Sequence, residues 1–136
     1  MVAKLAKQAI DVGLVTFEGE KALAFYRDLL GFVPDGAVPF PGLGTVNRFR
    51  CGESLFRILV LEKPPAAEAN KAAFAAQSGL RYLTLSVSNL DELVGEARAR
   101  GYAVPVPPRE LRPGVRVAQI EDGLGTWIEL MQSEGQ

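Results

Sequence analysis

The protein has 136 residues, 48% of them apolar, with 15 lysines and arginines against 16 aspartates and glutamates and no histidine. This length carries one core of ordinary size, a single domain over residues 1–136, and the balanced charge supplies no field for nucleic acid or an anionic membrane. No apolar run nears the roughly 18 residues of a bilayer span, and no apolar stretch follows Lys4 and Lys7 as an export leader requires, so a soluble cytoplasmic protein is expected.

Residues 10–16, Ile-Asp-Val-Gly-Leu-Val-Thr, are rich in branched aliphatic types and short enough for a strand. From Glu20 to Leu30 the apolar Ala22, Phe25, Tyr26 and Leu29 recur at helical spacing. Glu18 and Glu20 lie near the positive end, and Gly31 supplies a left-handed stop. After Phe32-Val33-Pro34, a stretch with Pro39, Pro41, Gly42 and Gly44 predicts a loop, followed by strands at Thr45 to Cys51 and Ser54 to Leu61 around a turn at Gly52-Glu53. The order is β-α-β-β-β, and this first module covers residues 9–62. Residues 63–79, with Pro64-Pro65 and an alanine-rich run, read as a linker holding one short helix.

A second module, residues 80–132, repeats the order. A strand from Leu80 to Val87 leads into a helix opened by Asn89, with Glu92 three positions on in a capping-box arrangement. Leu90, Leu93, Val94 and Ala97 form its apolar stripe and Gly101 ends it. A strand at Tyr102 to Val106, a loop at Pro105, Pro107 and Pro108, and strands at Val115 to Ile120 and Thr126 to Met131 follow, the last two joined by the Asp122-Gly123-Leu124-Gly125 turn. One offset carries Asp11 to Tyr82, Leu14 to Leu85 and Glu20 to Asp91, which marks an internal duplication.

The opening Asp11-Val12-Gly13-Leu14, the segment Leu23-Ala24-Phe25-Tyr26-Arg27-Asp28-Leu29-Leu30-Gly31-Phe32, the strand Tyr82 to Val87 and the closing Glu121 to Leu130 together resemble the vicinal oxygen chelate superfamily. That group holds glyoxalase I, bleomycin resistance proteins and extradiol dioxygenases. The resemblance covers about residues 9 to 132. It implies an α+β fold in which tandem β-α-β-β-β modules curl into a cupped mixed sheet with helices outside, and it implies a homodimer. Metal-dependent members hold a divalent ion with one side chain from each of four strands. Carried over, those places fall on Asp11, on a residue within Phe56 to Leu59, on Tyr82 and on Glu129. Arg57 is the polar candidate for the second, unless Glu62 is displaced into it.

Two carboxylates, a phenol and a guanidinium make a poor metal set. Zinc and non-haem iron want histidine, cysteine or carboxylate, tyrosine is a weak ligand at neutral pH, and arginine repels a cation. The expectation is therefore no metal and no cofactor, with Mg²⁺ or Mn²⁺ on Asp11 and Glu129 as the alternative. Glu129 reads either as a pocket residue or as a solvent-facing or ion-paired strand position, and Asp11 likewise. Tyr82 either donates its hydroxyl to a ligand or packs its ring. Arg57 either faces solvent or acts as counter-ion to Asp11 and Glu129. Trp127 is either a stacking wall or core, and Phe49 and Met131 would join it as apolar walls. Arg48 and Arg50, with Val46, make one face of their strand basic, as a surface ladder.

Cys51, the single cysteine, reads as a small strand residue, and without histidine no Ser-His-Asp or Cys-His arrangement exists. The Gly-Leu-Gly-Thr repeats at 42–45 and 123–126 lack the strand-to-helix context of a phosphate loop and read as turns. The leading function is a glyoxalase/bleomycin resistance-like protein that binds a small organic molecule through Asp11, Arg57, Tyr82, Trp127 and Glu129. The alternatives are a divalent-metal-dependent lyase, isomerase or dioxygenase, and a non-catalytic dimeric interaction scaffold.

Overall fold

Each half of the chain folds into a four-stranded mixed sheet that carries a helical segment. The computed structural model describes residues 1–135, which fall into two units, Met1–Ala66 and residues 67 onward. In the first, the sheet runs β1 (Val12–Thr16), β4 (Ser54–Leu61), β3 (Gly44–Cys51), β2 (Val33–Phe40), with β1 parallel to β4 and the other pairs antiparallel. The second repeats this as β5 (Tyr82–Ser86), β8 (Trp127–Ser133), β7 (Val115–Glu121), β6 (Val106–Arg112), with β5 parallel to β8. The duplicated β-α-β-β-β order read from the sequence is the order found.

Proline placement accounts for the main departures. The stretch expected to be a loop after Pro34 is strand β2, which contains Pro34 and Pro39, and the Pro107-Pro108 stretch lies inside β6. Both are edge strands, paired on one side only, where a missing N–H costs no ladder bond. Their pairing shifts between Pro34 and Ala37 and between Val106 and Arg109, as irregular edges do.

The first helix is not uniform. α1 (Gly19–Leu23) passes into a π-helical turn, Ala24–Leu29, in which the Leu30 amide donates to the Phe25 carbonyl at 2.9 Å. Ala22, Phe25, Tyr26 and Leu29 are all buried across this junction, and Gly31, at φ 76°, ends it. Tyr26 stacks on Phe56 of β4 with centroids 4.5 Å apart, while Phe25 meets Tyr26 edge-on at 4.8 Å. Phe56 and Ile58 therefore point to the helix side of the sheet, and Arg57, between them, points to the other.

α2 (Leu90–Ala99) buries Leu90, Val94 and Ala97. The capping box does not form. Asn89 occupies the cap without a side-chain bond, and the Leu90 amide donates instead to Gln132 Oε1 at 2.9 Å, from the end of β8. A distant strand thus supplies an acceptor for the first free amide of the helix.

The stretch 67–79 belongs to the second unit and is mostly irregular, with a single 3-10 turn at Phe74–Ala76. Buried Arg81 donates to the carbonyls of Asn70, Phe74 and Gln77 at 3.0 to 3.1 Å, which clasps the stretch onto the unit. At the β7–β8 turn, Asp122, 1% exposed, accepts from the Leu124 amide at 2.7 Å and the Thr126 amide at 3.0 Å. Asp122→Ala strips both amides of their acceptor and is expected to cost about 2–4 kcal/mol, read as a lower urea midpoint at unchanged slope.

Candidate functional site

The parallel strand pairs set out one polar row in each module. Gly13 of β1 lies opposite Arg57 of β4, and Thr84 of β5 lies opposite Glu129 of β8. Asp11 stands two residues before Gly13 as Tyr82 stands two before Thr84, so Arg57 holds in the first module the place of Glu129 in the second. Glu62 falls beyond the end of β4. The rows continue on the next strands, with Arg48 of β3 opposite Arg57 and Gln119 of β7 opposite Glu129. Directly opposed residues of an antiparallel ladder share a face, so the rows read Gly13-Arg57-Arg48 and Thr84-Glu129-Gln119.

Arg48, Thr84 and Gln119 were not among the predicted site residues. For Arg48 a signal exists: a two-residue turn at Gly52-Glu53 pairs Cys51 with Ser54 and therefore Arg48 with Arg57. The longer turn at 122–125 gives no such register for Gln119.

Asp11, just ahead of β1, is held three ways. Its Oδ1 accepts from the Leu55 amide at 2.8 Å and from Lys7 Nζ at 2.7 Å, and its Oδ2 lies 3.7 Å from Arg57 Nη2. The Leu55 amide, then Lys7, hold its carboxyl below the usual carboxylate value. Arg57 thus makes a loose ion contact with Asp11, longer than a hydrogen bond, while its side chain stays 42% exposed. On the same face Asp35 Oδ2 lies 3.3 Å from Arg50 Nη2 and 3.8 Å from Arg48 Nη2.

In the second module Thr84 Oγ1 donates to Glu129 Oε1 at 3.0 Å. Gln119 Oε1 is buried and receives no donor among the described residues. Tyr82 is 49% exposed, its ring edge-on to Phe74 at 5.9 Å.

The apolar walls need correction. Trp127 is 2% exposed, with Phe74 6.5 Å from its ring and the Arg81 guanidinium carbon 5.2 Å above it, so it is packed under the clasped stretch and offers no open stacking surface. Phe49 lies opposite Phe56 on the helix side of its sheet and is buried there. Met131 is half-buried. Cys51 is half-buried too, and burial pushes its thiol up, as befits an inert strand residue.

The residues do not fit a metal centre. Among the described residues no three histidine, cysteine or carboxylate side chains gather to hold an ion. One of the four places the resemblance assigns to ligands is a guanidinium, and the Asp11 carboxylate is taken up by an amide, an ammonium and that guanidinium.

Comparison with known proteins gives a family and a fold. The sequence pattern of the Glyoxalase/Bleomycin resistance protein/Dioxygenase superfamily matches residues 10–130. A comparison with curated proteins finds no significant match. Among solved structures, the fold is similar to that of a glyoxalase family protein from Bacillus cereus, at 19% identity over 98% of this chain and 97% of that one, with a TM-score of 0.83. It is also similar to an antibiotic binding protein from Streptomyces (22% identity, 96% and 100% covered, TM-score 0.69) and to a lactoylglutathione lyase from Agrobacterium tumefaciens (22%, 92% and 93%, 0.62).

Because Asp11 titrates lower in the folded chain than its ordinary value of about 3.9, its contribution is complete above that value and is lost as pH falls through the folded pKa. Asp11→Asn is expected to lower Tm at neutral pH, and the gap to the unaltered protein is expected to close below about pH 4, followed by thermal melts across pH.

Proposed function

The chain belongs to the Glyoxalase/Bleomycin resistance protein/Dioxygenase superfamily, and from that membership we propose that it binds a small organic molecule without the divalent ion that metal-dependent members use. The observation that carries this reading is Arg57. A fixed positive charge stands at a place where a ligand to a cation is required, and it lies 3.7 Å from the carboxylate at another such place. Binding through polar groups takes over from coordination.

The side chains left with capacity support it. Gln119 Oε1 has an open acceptor site, Glu129 uses one oxygen on Thr84, and the Tyr82 ring is half-exposed. A buried acceptor without a donor is costly unless something completes it, and a ligand hydroxyl or amide would. The Streptomyces neighbour, an antibiotic binding protein, is a precedent for small-molecule binding on this fold.

The test has two arms. Elemental analysis of purified protein is expected to return no stoichiometric metal, and a thermal-shift screen of metabolites and antibiotics is expected to yield a ligand that stabilises by about 2.7 kcal/mol at a hundredfold excess over Kd. Glu129→Ala is expected to weaken that ligand with little change in unliganded Tm. A stoichiometric ion lost on Asp11→Ala, or a broad screen without any hit, would overturn the proposal.

A further inference from the structure

In the first module the row Gly13-Arg57-Arg48 places two guanidiniums directly opposite one another on adjacent strands, on the face away from the helix. Like charges so opposed repel and destabilise a sheet unless negative charge lies over them. The protein's own counter-charges fall short. Lys7, Arg48, Arg50 and Arg57 face two carboxylates, Asp11 and Asp35. Asp11 is closest to Lys7 and the Leu55 amide, and Asp35 sits nearer Arg50 than Arg48. Arg48 and Arg57 are left with ion contacts of 3.8 and 3.7 Å, and neither guanidinium donates a hydrogen bond to any described residue. Both guanidiniums, about five N–H donors each, are partly exposed and keep donors for a ligand.

Gly13 is an independent observation on the same row. It is a strand residue without a positive φ, and a Cβ added to it would meet nothing within 4 Å. Neither backbone nor neighbours require glycine here, and glycine weakens a strand interior, so its effect is to keep space open beside Arg57. One step along the sheet, Val15 lies opposite Leu59, and Leu59 opposite Val46, an apolar row on that same face about 7 Å from the arginines.

We infer that Arg48 and Arg57 form a receptor for an oxyanion on the bound molecule, a carboxylate or a phosphate ester, with the space above Gly13 admitting it and the Val15-Leu59-Val46 row taking its apolar body. Guanidiniums offer paired N–H groups that match two oxygens of such a group. The inference rests on the binding function proposed above and names the chemical class of the ligand.

Benzoate, phenyl phosphate and neutral benzamide serve as probes, followed through the assigned arginine Nε–Hε signals of the ¹⁵N-labelled full chain. The expected result is that benzoate or phenyl phosphate moves the Arg48 and Arg57 signals while benzamide leaves them in place, and the anion that does so identifies the group as carboxylate or phosphate. Arg57→Gln and, separately, Arg48→Gln are expected to weaken the active probe about tenfold or more, in line with loss of charge-assisted hydrogen bonds. Gly13→Val, a residue favoured in strands, is expected to weaken it while holding or raising Tm. Equal shifts with benzamide, shifts confined to other arginines, or affinity unchanged in folded Arg57→Gln and Arg48→Gln proteins would overturn the oxyanion receptor. If a neutral ligand from the thermal screen binds Arg57→Gln as tightly as the unaltered protein, this inference fails and the binding function stands. If no compound of any charge binds, both fail.

Discussion

Parallel pairing of the first and last strand of each module is the constraint from which the rest follows. It sets Gly13 against Arg57 and Thr84 against Glu129, and the antiparallel neighbours then extend each match by one residue, to Arg48 and Gln119. Because side chains alternate across a strand, a slip of one residue would send Arg57 against the Tyr26 and Phe32 rings, where a charge has no partner, and turn Phe56 out of them. The burial of Phe56 and Ile58 thus locks the position of the arginine between them.

The two modules share one strand order and differ in their rows. The first row became cationic, with carboxylates only partly matching its arginines. The second became a hydrogen-bonding row, in which a threonine and a glutamate satisfy each other and a glutamine keeps an acceptor. Among the described residues neither module gathers a donor set suited to a transition ion, on a scaffold that belongs to the superfamily.

The strands and their order were legible because alternation and turn residues are local signals. β3 and β4 emerged almost to the residue, since Gly52-Glu53 leaves little choice of pairing. The proline-bearing strands β2 and β6 were misread as loops because proline's cost depends on whether a strand is central or at an edge, which no local window reveals. The cap position of α2 was read correctly at Asn89, but its side-chain bond was not made, and the contact from Gln132, far along the chain, to the Leu90 amide lies outside any local window. Of the candidate site, the ion contact of Asp11 with Arg57 was one of two readings that the charges offered, solvent exposure of Arg57 being the other. The covering of Trp127 was not, because it depends on Arg81 folding back over the irregular stretch before it.

That folding back bears on how the protein can change over generations. Arg81 grips the stretch by the oxygens of Asn70, Phe74 and Gln77 that belong to the main chain, and every amino acid brings the same oxygen. The path of this alanine-rich segment is therefore written partly in a side chain outside it, and the letters free to drift are those other than Phe74, whose ring packs against Tyr82 and Trp127, and Asn70, whose side chain accepts from the Ala72 amide.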